Sequence, residues 1–205
     1  MTTKQDTLTI WTDVKFSDDL MQQLSLGIAP HRLIFPSDNE LQNSTLVDAD
    51  VAFGQPNSDQ AMHLTKLQWV HLSSAGYTAY DRDDFREELR SQGRRLTTSS
   101  GVFNEPCSQH ILAMMMAFAR RLPDSLVTQL NDRDWIYTER RQQSFLLNGQ
   151  KAVLFGFGEI ALRLCELLAP FRMRLYGVRR YARGDEPISI ITEANLQAHL
   201  SDADH

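Results

Sequence analysis

The residues whose types and spacing most clearly indicate a binding function form a glycine-containing turn in the second half of the chain, Gly156-Phe157-Gly158-Glu159-Ile160-Ala161. The turn follows the apolar run Val153-Leu154-Phe155 and precedes a helical pattern that Pro170 ends. A strand that leads through such a turn into a helix points the unpaired amides of the helix N-terminus at a phosphate group. Residues 156–160 are therefore predicted to bind the diphosphate of a dinucleotide, with Ala161 in place of a third glycine. A structural strand–turn–helix unit without a ligand is the alternative.

Two arginines follow the next predicted strand, which runs from Met173 to Val178. An Asp or Glu about 20 residues after the turn would bind a ribose 2′-hydroxyl. Arg179 and Arg180 stand there instead, with no acid beside them in the sequence. Because guanidinium groups pair with phosphates bidentately, we predict that the chain prefers NADP(H) to NAD(H). Arginines that only solvate a loop are the alternative.

The first half of the chain alternates short apolar segments with helical ones. We expect strands at 8–11, 31–35, 49–53, 67–72 and 95–98, and helices at 18–27, 58–65 and 81–92. Such alternation is typical of a parallel sheet covered by helices on both faces. The predicted fold class is α/β: a flavodoxin-like parallel-sheet domain followed by the first part of a Rossmann dinucleotide-binding domain.

The middle of the chain changes character. Asn104-Glu105-Pro106 is expected to open a helix that is apolar almost all round from Ile111 to Ala119. A helix without a polar face is expected to be buried, either between two domains or against another subunit. A second helix is expected from Pro123 to about Asp132. We place one domain at 1–103 and a second at 104–205, which comprises the interdomain helix, a dimerisation segment and an incomplete Rossmann domain.

Composition excludes several classes of function. The formal net charge is -5 and no long basic run is present, which argues against a nucleic-acid partner. The longest apolar run, 111–119, is far shorter than the roughly 18 residues that span a membrane. Residues 1–6 lack the apolar core of a signal peptide. Cys107 and Cys165 lie far apart in the sequence, which favours reduced thiols and a cytoplasmic location.

With these residues in place, the chain resembles the D-isomer-specific 2-hydroxyacid dehydrogenases, such as the glyoxylate/hydroxypyruvate reductases. The resemblance covers residues 45 to 205, and its pieces come in the family's order. They are the loop at 69–77, the strand and crossover at 97–103, the helix and extension containing Gln109-His110, Arg120–Pro123, Gln129 and Trp135, the glycine turn at 156–161, and Gly177–Arg180.

The resemblance implies a fold, an activity and partners. The activity would be NAD(P)-dependent oxidoreduction of a small 2-keto or 2-hydroxy acid. Backbone amides of Ser74, Ala75 and Gly76 would hold the substrate carboxylate. A turn of small residues after a buried strand offers unpaired N–H groups, which is consistent with an anion-binding nest. Without the family context, an ordinary βα loop is the better interpretation of this turn. The segment 123–147 would form an intersubunit arm of a homodimer.

The sequence also departs from the family's pattern. Ser108 and Gln109 stand where the family has Ala-Glu before its histidine, here His110. The family's catalytic Arg, Glu and His all fall beyond the point that matches His205, so no catalytic residue is assigned, and we expect a truncated chain that is inactive. The Arg would orient the substrate carboxylate, and the His, tuned by the Glu, would supply the proton as hydride arrives.

Other residues offer little catalytic chemistry. His110 is expected to be a core or interface residue, and His71, beside the loop at 69–77, is the one histidine with a conceivable catalytic role. The remaining histidines have no metal-ligand spacing with each other or with the cysteines. Two alternatives to a dehydrogenase stay open: a non-catalytic nucleotide-binding or dimerising module, and a Rossmann methyltransferase or flavin enzyme.

Overall fold

The computed structural model describes residues 7–36 and 44–205. The chain divides into two compact units, Met1–Ser100 and Gly101–His205, called here the N-terminal and the C-terminal unit. The predicted boundary after residue 103 lies inside a helix that begins at Ser100. Residues 1–6, on which the argument against a signal peptide depends, lie outside the described residues.

The N-terminal unit is built on a five-stranded parallel sheet. Its strands are β1 (Thr9–Thr12), β2 (Arg32–Ile34), β3 (Val51–Gly54), β4 (Trp69–Leu72) and β5 (Arg95–Thr98). Their order is β2-β1-β3-β4-β5, and every neighbouring pair is parallel. This order is that of flavodoxin-like folds, so the predicted fold of this part is confirmed.

In the described residues of this unit, the α-helices between the strands are α1 (Asp18–Gly27), α2 (Ser58–His63) and α3 (Asp83–Ser91). The helix α3 is strongly amphipathic, and Phe85 and Leu89 face the sheet. The core between sheet and helices is apolar and contains the fully buried side chains of Trp11, Leu46, Leu67, Leu72 and Phe85. Buried strands explain the short continuous apolar segments of the sequence.

The C-terminal unit contains a second parallel sheet, β6 (Lys151–Phe155), β7 (Arg174–Val178) and β8 (Ser189–Ile191), in the order β6-β7-β8. Its helices are α4 (Ser100–Ala119), α5 (Leu122–Leu130), α6 (Tyr137–Gln143), α7 (Glu159–Leu168) and α8 (Glu193–Leu200). The helix α7 connects β6 to β7, and a loop without a helix connects β7 to β8. Three adjacent parallel strands in this order form the first part of a Rossmann fold, as predicted.

His205 continues this sheet on the other side of β6. Its amide donates to the carbonyl of Lys151 at 3.1 Å, and its carbonyl accepts from the amide of Val153 at 3.0 Å. Two such bonds to residues i and i+2 of a neighbour are typical of parallel pairing. The strand β6, which precedes the glycine turn, therefore has hydrogen-bonded neighbours on both sides.

The helix α4 differs from the prediction. It begins at Ser100, and Pro106 lies inside it rather than near its first turn. Leu112, Met115 and Met116 pack against the core of the C-terminal unit. Met114 and Phe118 are exposed in the single chain, as is Val102, so the predicted burial of this run between two domains or against another subunit stays a prediction. An apolar helix of this kind leaves part of its surface uncovered in the single chain.

Candidate dinucleotide and carboxylate sites

The glycine turn lies where the sequence predicts, between β6 and α7. Gly156 adopts a φ of +95°, which favours glycine. The amides of Gly156 and Phe157 both donate to the carbonyl of Val178, at 3.2 and 3.1 Å. These two amides therefore fix the turn to the end of β7 instead of remaining free for a ligand.

The amides that follow are open. In the described part of the chain, no protein acceptor pairs with the amides of Gly158, Glu159 and Ile160, which form the first turn of α7. Gly158 is the N-cap of α7 and carries no side chain that could cap it. A Cβ added at Gly156 or Gly158 would meet nothing within 4 Å, so a ligand has room to approach the backbone. This open helix N-terminus fits a diphosphate.

The helix α7, which follows the turn, is fixed by a buried face and by an ion pair to α4. Ala161, Leu164, Cys165 and Leu168 are buried along one face. Burial, followed by the neighbouring Glu166 carboxylate, raises the pKa of the Cys165 thiol to about 11. On the other face, the Arg163 guanidinium contacts the Glu105 carboxylate of α4 at 2.6 and 3.2 Å.

This contact relates to one of the departures noted in the sequence. Gln109, which stands in place of an acid, donates to the Glu105 carboxylate at 2.5 Å. The Arg163 bond, followed by that of Gln109, lowers the pKa of Glu105. Ser108 is fully buried and its hydroxyl donates to the carbonyl of Glu105 at 3.0 Å. An acid one helical turn before position 109 thus anchors α4 to α7.

Arg179 and Arg180 follow β7 directly, at the same sheet edge as the turn. The sequence shows no acid beside Arg179, but the fold brings one to it: Arg179 Nη1 lies 3.2 Å from Glu186 Oε1. The Glu186 carboxylate also accepts from the amides of Arg183 at 2.7 Å and Gly184 at 2.9 Å. Hydrogen bonds from these amides and from Arg179 lower the pKa of Glu186. Arg180 is exposed.

The loop after β4, with Ser74, Ala75 and Gly76, lies at the carboxyl edge of the N-terminal sheet. Ser74 Oγ accepts from Gln55 Nε2 at 3.0 Å and donates to the carbonyl of Gly76 at 2.7 Å. Across residues 7–36 and 44–205, the amides of these three residues have no protein acceptor. The loop therefore presents unpaired donors, as an anion-binding nest requires.

A hydrogen-bonded chain supports this loop from below. Trp69 Nε1 donates to Thr97 Oγ1 at 2.8 Å, and His71 Nδ1 lies 2.7 Å from the same hydroxyl. His71 Nε2 lies 3.1 Å from Ser99 Oγ, and the amide of Ser99 donates to the carbonyl of Ser74 at 3.1 Å. Both ring nitrogens of His71 have protein partners, which points to a structural role.

Sequence reasoning missed several residues of these two edges. Gln55 binds Ser73 and Ser74, and Asp13 accepts from the amide of Gln55 at 3.0 Å. Both follow the carboxyl ends of neighbouring strands, β1 and β3, where ligands of open α/β sheets bind, so their position offered a signal. Glu186, seven positions after Arg179, offered none.

Two further histidines have different environments. His110 is exposed on α4, so it is no core residue of this chain, and its place in a subunit interface stays a prediction. His205 is partly buried, with Nε2 2.7 Å from Gln150 Oε1, and burial lowers its pKa. Among the described residues, no group of His, Cys, Asp or Glu is arranged to hold a metal ion. In the same residues, no helix is long and apolar enough to cross a membrane.

A parallel α/β unit whose first strand leads through an open Gly-x-Gly turn into a helix is a Rossmann-type dinucleotide-binding domain. Residues 112–205 match the family model of the D-isomer specific 2-hydroxyacid dehydrogenase, NAD binding domain. This match confirms, for the C-terminal part of the chain, the resemblance to the D-isomer specific 2-hydroxyacid dehydrogenases seen in the sequence.

Solved structures share the fold. The PH0520 protein of Pyrococcus horikoshii OT3 superposes with a TM-score of 0.76 at 17% identity, over 97% of this chain and 61% of its own. The NADPH-dependent glyoxylate/hydroxypyruvate reductase of Sinorhizobium meliloti gives 0.63 at 18%, over 90% and 58%. The NAD-dependent formate dehydrogenase of Staphylococcus aureus, in complex with NAD, gives 0.62 at 15%, over 92% and 61%. The chain thus spans about three fifths of the length of each.

Proposed function

We propose that this chain belongs to an NAD(P)-dependent oxidoreductase that acts on a small 2-keto or 2-hydroxy acid. One observation carries the proposal: the open amides of Gly158, Glu159 and Ile160 lie between a central parallel strand and its helix, inside the domain that the family model matches. A bound nicotinamide cofactor would supply hydride transfer. The residues of this chain would bind and orient the cofactor and the acid.

The roles within the turn divide between shaping and binding. Gly156 and Phe157 hold the turn against Val178, and the three following amides bind the diphosphate at the positive end of α7. In the N-terminal unit, the unpaired amides of residues 74–76 bind the carboxylate of the acid. Gln55 keeps Ser74 in place for this task.

NADP(H) is the proposed cofactor in preference to NAD(H). Arg179 and Arg180 stand at the end of β7, where an acid would favour the ribose 2′-hydroxyl of NAD. The exposed Arg180 guanidinium is available to a 2′-phosphate, and Arg179 keeps donors beyond the one that contacts Glu186. A cytoplasmic location, where Cys107 and Cys165 stay reduced, belongs to the same proposal.

A homodimer is proposed from the exposed apolar surface of the C-terminal unit. Phe118, Leu130 and Trp135 are exposed, and Trp135 keeps 90% of its accessible surface. Trp135 stacks on Tyr137 beside an open cavity of about 1200 Å³ lined by α5 and α6. Exposed apolar surface of this extent is typical of a subunit interface. Sedimentation of the purified chain as a monomer at all concentrations would contradict the dimer.

The test of the cofactor site is a titration with NADPH, followed by its fluorescence, of the natural chain and two variants at one position. Gly158→Asp and Gly158→Asn both supply a side chain that can cap α7, and a Cβ at this position meets nothing within 4 Å. Both variants are therefore expected to fold. The aspartate places a negative charge against the diphosphate, so its Kd for NADPH should rise well beyond that of the asparagine variant.

Turnover is tested separately with glyoxylate and hydroxypyruvate. No position in the 205 residues matches the family's catalytic Arg, Glu or His, so we expect NADPH binding without NADPH oxidation from this chain. Oxidation at an ordinary enzymatic rate would show that other residues carry the chemistry. Binding without turnover is also what a non-catalytic nucleotide-binding module would show, and only binding of a 2-keto acid that depends on residues 74–76 favours the dehydrogenase.

A further inference from the structure

The segment from Arg179 to Glu186, called here the 179–186 loop, is organised around one carboxylate. Glu186 Oε1 accepts from the amide of Arg183 and from Arg179 Nη1, and Glu186 Oε2 accepts from the amide of Gly184. Only 6% of the Glu186 side chain is exposed, in a loop whose other side chains are largely in solvent. The Glu186 side chain thus binds two backbone amides of the loop and also contacts Arg179, the first residue of the loop.

The position of this arginine links the loop to the cofactor turn. Arg179 follows Val178, whose carbonyl accepts from both Gly156 and Phe157. The backbone of Arg179 therefore lies one residue from the carbonyl that fixes the glycine turn, while its guanidinium contacts Glu186. A guanidinium has five N–H donors, and the bond to Glu186 uses one of them. The others remain for a ligand at this edge of the sheet.

Two consequences of the Glu186 contact oppose each other. The carboxylate cancels part of the positive charge that attracts a 2′-phosphate, which would favour NAD(H). It also holds a long, otherwise mobile side chain in one geometry, and a pre-organised guanidinium loses less conformational entropy when a phosphate binds. The bonds from the amides of Arg183 and Gly184 fix the carboxylate to the backbone independently of Arg179. We therefore expect the orientation of Arg179 by Glu186 to outweigh the loss of positive charge.

We propose that Glu186 is a specificity-determining positioning residue, which holds Arg179 and the 179–186 loop in the geometry that binds the 2′-phosphate of NADP(H). The inference rests on the proposed function, since it needs a dinucleotide in the turn. It assigns the preference for NADP(H) to three residues, Arg179, Arg180 and Glu186, instead of to the arginine pair alone.

The experiment compares Kd values for NADPH and NADH in Glu186→Gln, Arg179→Ala and the double variant, all in the full chain. Loss of one charge-assisted bond corresponds to a change of at least about tenfold in affinity. We expect Glu186→Gln to weaken NADPH binding about tenfold and to leave NADH binding within about twofold. Because Glu186 acts through Arg179, Glu186→Gln should change the Kd for NADPH little when Arg179→Ala is already present. A double-mutant cycle measures this coupling.

Asp185→Asn is the matched control, because it removes a carboxylate from the same loop at an exposed position. It should leave the ratio of the two Kd values unchanged. If Glu186→Gln instead strengthens NADPH binding, charge cancellation dominates and the inference is wrong. Equal weakening for both cofactors would reduce Glu186 to a loop-stabilising residue and also overturn it.

Failure of the proposed function has a different signature. A natural chain that binds neither cofactor overturns both proposals. A natural chain that prefers NADPH, with a ratio that Glu186→Gln does not change, overturns only the role of Glu186. Thermal unfolding of each variant accompanies the titrations. The inference is supported if Glu186→Gln loses the preference for NADPH over NADH and still unfolds at the same temperature as the natural chain.

Discussion

The ring of Phe157 lies directly against the backbone of Gly177. A Cβ at position 177 would lie 2.6 Å from Phe157 Cδ2 and 2.9 Å from Phe157 Cγ. Phe157 is buried together with Ala161 and Cys165, so the second residue of the glycine turn packs into the sheet while its amide donates to Val178. The absence of a side chain at Gly177 is therefore a condition for the position of the turn.

Gly177→Ala should displace Phe157 and with it the turn. The added methyl group would also lie 2.9 Å from Ile190 Cδ1, so no free space accommodates it. Overpacking of this kind costs about 1–3 kcal/mol of the free energy of unfolding, which urea unfolding measures. NADPH binding should weaken in the same variant. Gly101→Ala, where a Cβ meets nothing within 4 Å, is the control and should lose neither stability nor binding.

The buried phenol of Tyr80 predicts that the N-terminal unit loses folding stability at high pH. Tyr80 is 5% exposed and its hydroxyl donates to the carbonyl of Pro56 at 2.6 Å. Burial, followed by the charge of Asp13, raises the pKa of Tyr80 to about 12. An unfolded tyrosine ionises near pH 10. The stabilisation is therefore complete below pH 10 and is lost as the pH rises from about 10 to 12, because the unfolded chain releases this proton first.

Tyr80→Phe isolates that contribution. At pH 7 the variant should lose about 1–3 kcal/mol, because the carbonyl of Pro56 keeps no partner. Between pH 10 and 12 the gap to the natural chain should narrow, as measured by urea unfolding at each pH. A gap that stays constant across this range would mean that Tyr80 ionises in the folded chain as readily as in the unfolded one.

The two cysteines are expected to react at very different rates. Cys165 is buried in α7, with its thiol pKa raised to about 11, whereas Cys107 is only partly buried. The thiolate is the reactive form, and access also limits the rate. At pH 8 a thiol reagent such as DTNB should therefore label Cys107 in a fast phase and Cys165 only as the chain opens. Cys107→Ser should remove the fast phase and Cys165→Ser the slow one; equal rates would contradict the burial of Cys165.

The sequence predicts the regular parts of this fold well, because their signals are local. The strand β5 has the predicted bounds, and β6, the glycine turn and α7 follow from an apolar run, two glycines and helical periodicity. The parallel order of the N-terminal sheet follows from repeated strand–helix alternation. Each of these features is announced by a pattern of residues that are close in the sequence, although the sheet itself pairs distant strands.

The misses have physical causes. Proline is favoured at the start of a helix, so Pro106 predicts that α4 begins near residue 104, although the helix begins at Ser100. The polar segment Tyr137–Gln143 has no apolar face, and Ser189–Ile191 is short, so α6 and β8 gave no periodic signal.

At the candidate sites, local signals identify backbone donors but not their side-chain partners. The glycine turn and the small residues 74–76 are visible in the sequence. The contact of Glu186 with Arg179 depends on how the intervening loop folds, and that of Gln55 with Ser74 depends on the pairing of β3 with β4. Pairings over such distances become visible only in three dimensions.

The last prediction concerns an ion pair at the amino end of β6. Lys151 is 4% exposed; its ammonium group contacts the Asp202 carboxylate and lies 5.1 Å from the centre of the Tyr176 ring. The hydrogen bond from Lys151 is the largest cause that lowers the pKa of Asp202. Asp202→Asn leaves a buried ammonium group without its counter-charge, so it should lower the unfolding temperature clearly at pH 7.

The pH dependence distinguishes this ion pair from mere packing. Because the folded pKa of Asp202 is lowered, its stabilisation is present above the ordinary value of 3.8 and is lost as the pH falls through the folded pKa. The difference in unfolding temperature between Asp202→Asn and the natural chain should therefore shrink below about pH 4. Asp132→Asn removes an exposed carboxylate of the same unit and should have little effect at either pH. A deficit that is as large at pH 3 as at pH 7 would mean that the contact acts through shape and not through charge.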